Sequence, residues 1–198
     1  RQPEFSQLDM EMSFVAEEEI LATVEQVMAS LYRDLLDREL ELPVERMSYQ
    51  EAMDRFASDK PDLRIPIEIV DLSEVAGKIG FGVYSSVLEA GGWVRGFRVP
   101  GGGSLSRKQI TSLEQTARDA GAGGAAWCKV TADGATGPLG RFLGEQPGTD
   151  FIAALGAEAD DLILTIADQP RRPLVAVDAI RRAAGEMMGM VGEKDRLV

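Results

Sequence analysis

The chain has 198 residues, of which 44% are hydrophobic and 27% charged, with one cysteine and no histidine. That composition suits a globular fold and, within these residues, excludes a disulfide framework, a Cys/His zinc site and any His-based triad. The net charge of −12 argues against nucleic-acid binding by the surface as a whole, because phosphate affinity comes from clustered Lys and Arg.

Residues 1–10 lack the charged, apolar and small-residue regions of a signal peptide, and no apolar run reaches the roughly 18 residues of a membrane span, so a soluble cytoplasmic protein is expected. Residues 4–14 alternate: Phe5, Gln7, Asp9, Glu11 and Ser13 fall on one side and Leu8, Met10, Met12 and Phe14 on the other, which predicts a strand with one polar face. From Glu17 the period becomes helical, with Ile20, Leu21, Val24, Val27, Met28, Leu31 and Leu35 in one apolar stripe. Glu17, Glu18 and Glu19 occupy its first turn and complement the helix dipole. Ser48 and Glu51 have capping-box spacing ahead of a short helix ending near Phe56. Residues 58–64 carry Pro61 among mixed charges and predict a connection.

After Gly77 the composition shifts toward Gly, Ala and Val. Strand-like stretches run from Phe81 to Leu88, Trp93 to Val99, Ala125 to Thr131 and Asp161 to Ala167. A helix starting at Ser106, with Gln109 completing a capping box, turns Ile110, Leu113 and Ala117 inward and stops at Gly121. Another covers Thr149 to Leu155 and stops at Gly156, and residues 173–188 return to a helical period. The fold class is therefore α+β, with a two-layer module of about 90 residues at 77–170. Residues 1–76 precede it, and a helical segment, 171–198, follows.

Phe5, Gln7 and Asp9 bring an aromatic platform, an amide and a carboxylate to one surface, although a half-exposed strand also has a polar face for no functional reason. Arg95, Arg98, Arg107, Lys108 and Lys129 are candidates for a patch on a nucleic-acid backbone, against the alternative of a solvated face. Gly101-Gly102-Gly103-Ser104 lacks the lysine and spacing of a phosphate-binding Walker loop and reads as a tight turn. Trp93 and Trp127 read as core or interface residues. No metal-ligand constellation is expected; the three consecutive glutamates fan out around the helix axis.

Residues 1–14 resemble the second strand of motif 2 in bacterial aspartyl-tRNA synthetases of class II, with Ser6 where threonine is usual. Ser58 to Arg64 resembles the family's Asp-Lys-Pro-Asp-Leu-Arg segment. Leu88 to Gly92, Arg98 to Gly102, Ser104 to Lys108, Ala126 to Val130 and Gly137-Pro138 resemble its inserted GAD domain, in the same order. The resemblance implies an internal fragment: a segment of the antiparallel-sheet catalytic domain (1–76), the inserted two-layer, DCoH-like GAD domain (77–170), and a helix returning to the catalytic domain (171–198).

By the same resemblance, Phe5 stacks on the adenine of ATP, Gln2 contacts ATP, and Gln7 and Asp9 face the aspartate substrate. Arg95, Arg98, Arg107, Lys108 and Lys129 are its possible tRNA contacts. It further implies ATP as substrate, Mg²⁺, tRNA and aspartate as partners of the intact enzyme, and a homodimer formed through segments outside this chain, with the fragment inactive by itself. The alternative is a noncatalytic GAD module that contacts tRNA or acts as a scaffold, as in a tRNA-dependent amidotransferase subunit.

Overall fold

The computed structural model describes residues 3–144, 146–169 and 174–193. They fall into two compact units that divide between Arg46 and Met47.

In the first unit, α1 (Glu17–Leu36) is the single regular element among the described residues. The Glu19 carboxylate accepts from the Ala16 amide at 2.8 Å, which satisfies one orphan donor of the first turn. None of the helix is buried; Ile20, Val24, Leu31 and Leu35 of the predicted stripe are exposed. Glu25 accepts from the Val44 amide at 3.2 Å and pairs with Arg46 at 2.8 Å, which ties the following segment to the helix. Residues 4–14, expected as a strand, form no ladder, because a strand exists only where a neighbour accepts its backbone hydrogen bonds.

The second unit contains, in chain order, α2 (Tyr49–Phe56), β1 (Val70–Asp71), α3 (Ser73–Ala76), α4 (Gly82–Glu89), β2 (Trp93–Val99), α5 (Arg107–Asp119), β3 (Ala126–Thr131), β4 (Gly134–Thr136), α6 (Gln146–Ala154), β5 (Leu162–Asp168) and α7 (Val175–Met187). Its five strands form one antiparallel sheet in the order β1-β2-β5-β3-β4.

The predicted strand at Phe81 to Leu88 is instead α4. Phe81, Tyr84 and Leu88 recur at helical spacing, and it is this face that packs inward, with Tyr84 buried. Half of the predicted Ser48 box forms: the Ser48 hydroxyl accepts from the Glu51 amide at 3.1 Å, while the Glu51 carboxylate takes a hydrogen bond from Arg55 at 2.7 Å. The Ser106 box forms completely, and Ile110, Leu113 and Ala117 are buried as expected.

The expected two layers become three. Register aligns Phe97 with Leu164 and Trp127 with Leu164 on one face, and Arg98 and Cys128 with Ile163 on the other. On the first face, α5 and α7 pack together, with Val177, Ile180 and Ala184 joining Leu113, Val99 and Leu162 in one core. On the second, Leu72, Tyr84, Leu139 and Phe151 join Val94, Cys128 and Ile163 in another. Gly96 permits this packing next to β5, since a Cβ there would fall 2.5 Å from Thr165 and 2.6 Å from the Leu164 carbonyl. The compact unit therefore reaches beyond 77–170 on both sides: β1 supplies a sheet edge before Gly77, and α7 closes a core after residue 170.

Residues 58–69 are held by an interaction that local patterning does not announce. Ile65, Ile67 and Ile69 alternate into the first core. Arg181 of α7, wholly buried, donates to the carbonyls of Ile65 and Ile67, both at 3.3 Å, and to Asp178 at 3.0 and 3.1 Å. Its guanidinium also lies 5.3 Å from the ring centroid of Phe56. Replacing Arg181 with Met removes donors from buried carbonyls and a partner from Asp178. Urea unfolding of this variant is expected to show a loss of about 3–5 kcal/mol, the scale for breaking a buried ion pair. Arg182→Met, which removes a half-exposed partner of the same Asp178, is expected to cost about 1 kcal/mol or less. Equal losses for the two variants would contradict the role assigned to Arg181.

Candidate functional site

Gln2 lies outside the described residues. Phe5, Gln7 and Asp9 are all exposed, Phe5 at 71%, on a segment without regular hydrogen bonding. Leu8, Met10 and Met12, from the apolar side of the predicted strand, are exposed as well. The residues that the sequence groups as a substrate surface are thus accessible, and no core or ladder fixes their side chains.

The five candidate cations do not make one patch. Arg95 and Arg98 stand on opposite faces of β2, because their spacing is odd. Arg95 donates to the Met53 carbonyl and to Asp54, both at 3.3 Å, and so ties α2 to the sheet. Arg98 pairs with the buried Asp161 at 3.0 Å. Lys129 sends its Nζ to the carbonyls of Gly103 and Leu105, both at 2.7 Å. Arg107 and Lys108 remain exposed side by side in the first turn of α5, with the Arg107 guanidinium 4.8 Å from the Trp127 ring centroid. Three of the five cations therefore hold the fold together and two are presented to solvent.

These contacts also decide the reading of the glycine-rich turn. The Gly101 amide donates to Asp161 at 3.1 Å, the Gly103 amide to the Asp160 carbonyl at 2.7 Å and the Ser104 amide to the Gly101 carbonyl at 3.2 Å. Amides already bound within the protein do not cradle a phosphate, and the segment is the structural turn expected. The glycines are needed for close approach: a Cβ on Gly103 would come within 2.7 Å of the Asp160 carbonyl oxygen. Sequence reasoning missed Asp161, whose carboxylate accepts from Arg98, Gly101 and Glu158. Its one available signal was a carboxylate heading an otherwise apolar strand.

Trp127 is buried, as a core residue should be, and Gly137 packs so closely on its ring that a Cβ would lie 2.5 Å away. Cys128 faces the second core, where burial pushes its thiol pKa up to about 12.

Residues 84–177, which contain β2 to β5, match the family model of the GAD domain. The chain is also similar, over nearly all its length, to three longer proteins each named aspartate--tRNA(Asp/Asn) ligase. With that of Bacillus subtilis (strain 168) it shares 42% identity over 195 residues, covering 98% of this chain and 33% of the relative. With that of Moorella thermoacetica it shares 43% over 188 residues, covering 95% and 31%. With that of Endomicrobium trichonymphae it shares 40% over 191 residues, covering 96% and 33%. The chain spans about a third of the length of the curated relatives it matches.

Two outcomes follow from the site geometry. Lys129→Met is expected to lower stability by about 1–3 kcal/mol in urea unfolding, because two carbonyls lose a charged donor, whereas Lys108→Met stays within about 0.5 kcal/mol of the parent. A parent-like Lys129→Met would show that the turn stands without its clamp. Cys128 is expected to resist a thiol reagent at pH 8 in the folded chain and to react completely in denaturant; rapid reaction without denaturant would mean that the second core opens readily.

Proposed function

We propose that the protein to which this chain belongs activates aspartate with ATP and transfers the aspartyl group to tRNA. The observation carrying this reading is the similarity of 95–98% of the chain, at 40–43% identity, to proteins named as ligases of that kind. An aspartate carboxylate oxygen attacks the α-phosphorus of ATP and expels pyrophosphate. A ribose hydroxyl of the tRNA terminus then attacks the adenylate carbonyl and expels AMP. Such chemistry needs positioning and charge stabilisation rather than a protein nucleophile, which agrees with a chain lacking histidine.

In this reading Phe5 offers its ring to adenine and Gln2 contacts ATP. Gln7 and Asp9 meet aspartate, with the Asp9 carboxylate opposite the substrate ammonium group. The exposure of Phe5 agrees with that role, since an aromatic face held away from any core is open to a base. Arg107 and Lys108 are the pair suited to a tRNA phosphate, as both are exposed in the first turn of α5, with Arg107 steadied by the Trp127 ring and by Glu114 at 3.5 Å. No group of three or more His, Cys, Asp or Glu side chains among the described residues fits a metal ion, so Mg²⁺ is not assigned to residues of this chain. A cytoplasmic location and a homodimer formed through other segments complete the proposal; among the described residues, no helix is long and apolar enough to cross a membrane.

Aspartate-dependent pyrophosphate exchange by the longer protein is the test. Phe5→Ala is expected to raise the KM for ATP about 5- to 150-fold, the equivalent of one lost stacking contact, with a smaller effect on aspartate. An unchanged KM for ATP removes Phe5 from the site. A parent protein without aspartate-dependent exchange overturns the ligase reading.

A further inference from the structure

Away from the residues discussed so far, a cleft of about 460 Å³ opens between the turn after α3 and the loop entering α6. Lys78, Gly80, Arg141, Phe142 and Gly144 are among its walls. Gly80 and Gly144 have open space where a side chain would stand, so bare backbone borders the cleft at two points.

The aromatic run behind the cleft is packed. Phe142 lies 5.0 Å from Phe81 between ring centroids, and Phe81 meets Tyr84 edge-on at 4.7 Å. Tyr84 is buried, with its hydroxyl bonded to that of Thr165 in β5. The wall carrying Phe142 is thereby anchored to the sheet before any ligand arrives.

Two cations line the cleft. Among the described residues, Arg141 has no ion pair and no side-chain hydrogen bond, and its guanidinium sits 5.0 Å from the ring centroid of Phe142. Lys78 pairs with Glu74 at 3.0 Å, but both side chains are largely exposed, so the pair is weak and the ammonium group keeps donors for a second acceptor. In a chain with 33 acidic and 21 basic side chains, an arginine without a carboxylate partner among the described residues, sharing a cleft with a lysine and bare backbone, marks a place for an external anion.

We propose that this cleft binds the phosphate group of a ligand, with Arg141 as the planar two-pronged donor and Lys78 as the second positive charge. The chemistry stands without the ligase reading, which only adds an RNA backbone to free phosphate compounds as a source.

The test is a titration of the isotopically labelled 198-residue chain at constant ionic strength, reading the Gly80 and Gly144 amide resonances. One arm adds inorganic phosphate and the other an RNA hairpin without terminal phosphates. Saturable shifts of both amides with either probe are expected. Arg141→Gln and Lys78→Gln should each weaken binding about three- to tenfold, between the scales of an exposed ion pair and a charged hydrogen bond. Lys108→Gln, outside the cleft, should bind as the parent does, and circular dichroism should show every variant folded.

Competition between phosphate and hairpin identifies an RNA backbone as the source, and a response to phosphate alone identifies a free phosphate compound. The proposal fails if neither probe shifts the two amides, if the cleft variants bind like the parent, or if Lys108→Gln weakens binding equally. Pyrophosphate exchange in the longer protein does not enter these readouts, so loss of the cleft and loss of the ligase reading are told apart.

Discussion

Strand β5 lies between β2 and β3 and keeps Leu162 through Ile166 out of solvent, so each of its faces requires its own layer of helices. Helices α5 and α7 supply one, and α3, α4 and α6 with their connections supply the other. That double covering makes the neighbouring elements interdependent. Gly96 has to be a glycine for β2 to pack beside β5, and Tyr84 reaches Thr165 because α4 lies against the sheet. Arg181 then fastens the chain before the sheet to the helix after it.

Much of the positive charge serves this architecture. Arg181, Arg95, Arg98 and Lys129 each bind a carbonyl or carboxylate from a different part of the second unit. A cation bound to two backbone carbonyls, as in Lys129, contributes order rather than recognition. The cations left toward solvent therefore carry more information than a count of basic residues does. Lys108 at the start of α5, beside an Arg107 that already pairs with Glu114, and Arg141 with Lys78 at the cleft, are the sites where negative partners meet exposed donors.

The two units contribute differently to the ligase reading. The second has cores on both faces of its sheet and contains the GAD match. The first presents Phe5, Gln7 and Asp9 on an exposed segment and leaves the apolar face of α1 uncovered. A pocket built on such a segment depends on neighbouring structure to hold its side chains in place, because alternation by itself defines faces only once a strand is paired.

Local signals in the sequence determined the elements whose causes lie within a few residues. Ser106 with Gln109, and Ile110, Leu113 and Ala117 behind them, specified α5 from its cap to its buried face, and β2, β3 and β5 were legible as apolar runs between turn residues. The family resemblance was legible for the same reason, being carried by short ordered motifs. Phe81 to Leu88 was misread because a short apolar run fits strand and helix alike until a partner chooses between them. Tertiary structure alone decided that the sheet is covered twice, that Lys129 clamps a turn, and that Arg181 binds carbonyls 116 and 114 residues away. Those outcomes rest on desolvation and on hydrogen bonds between parts of the chain that share no local pattern, so they exist only once the chain has closed on itself.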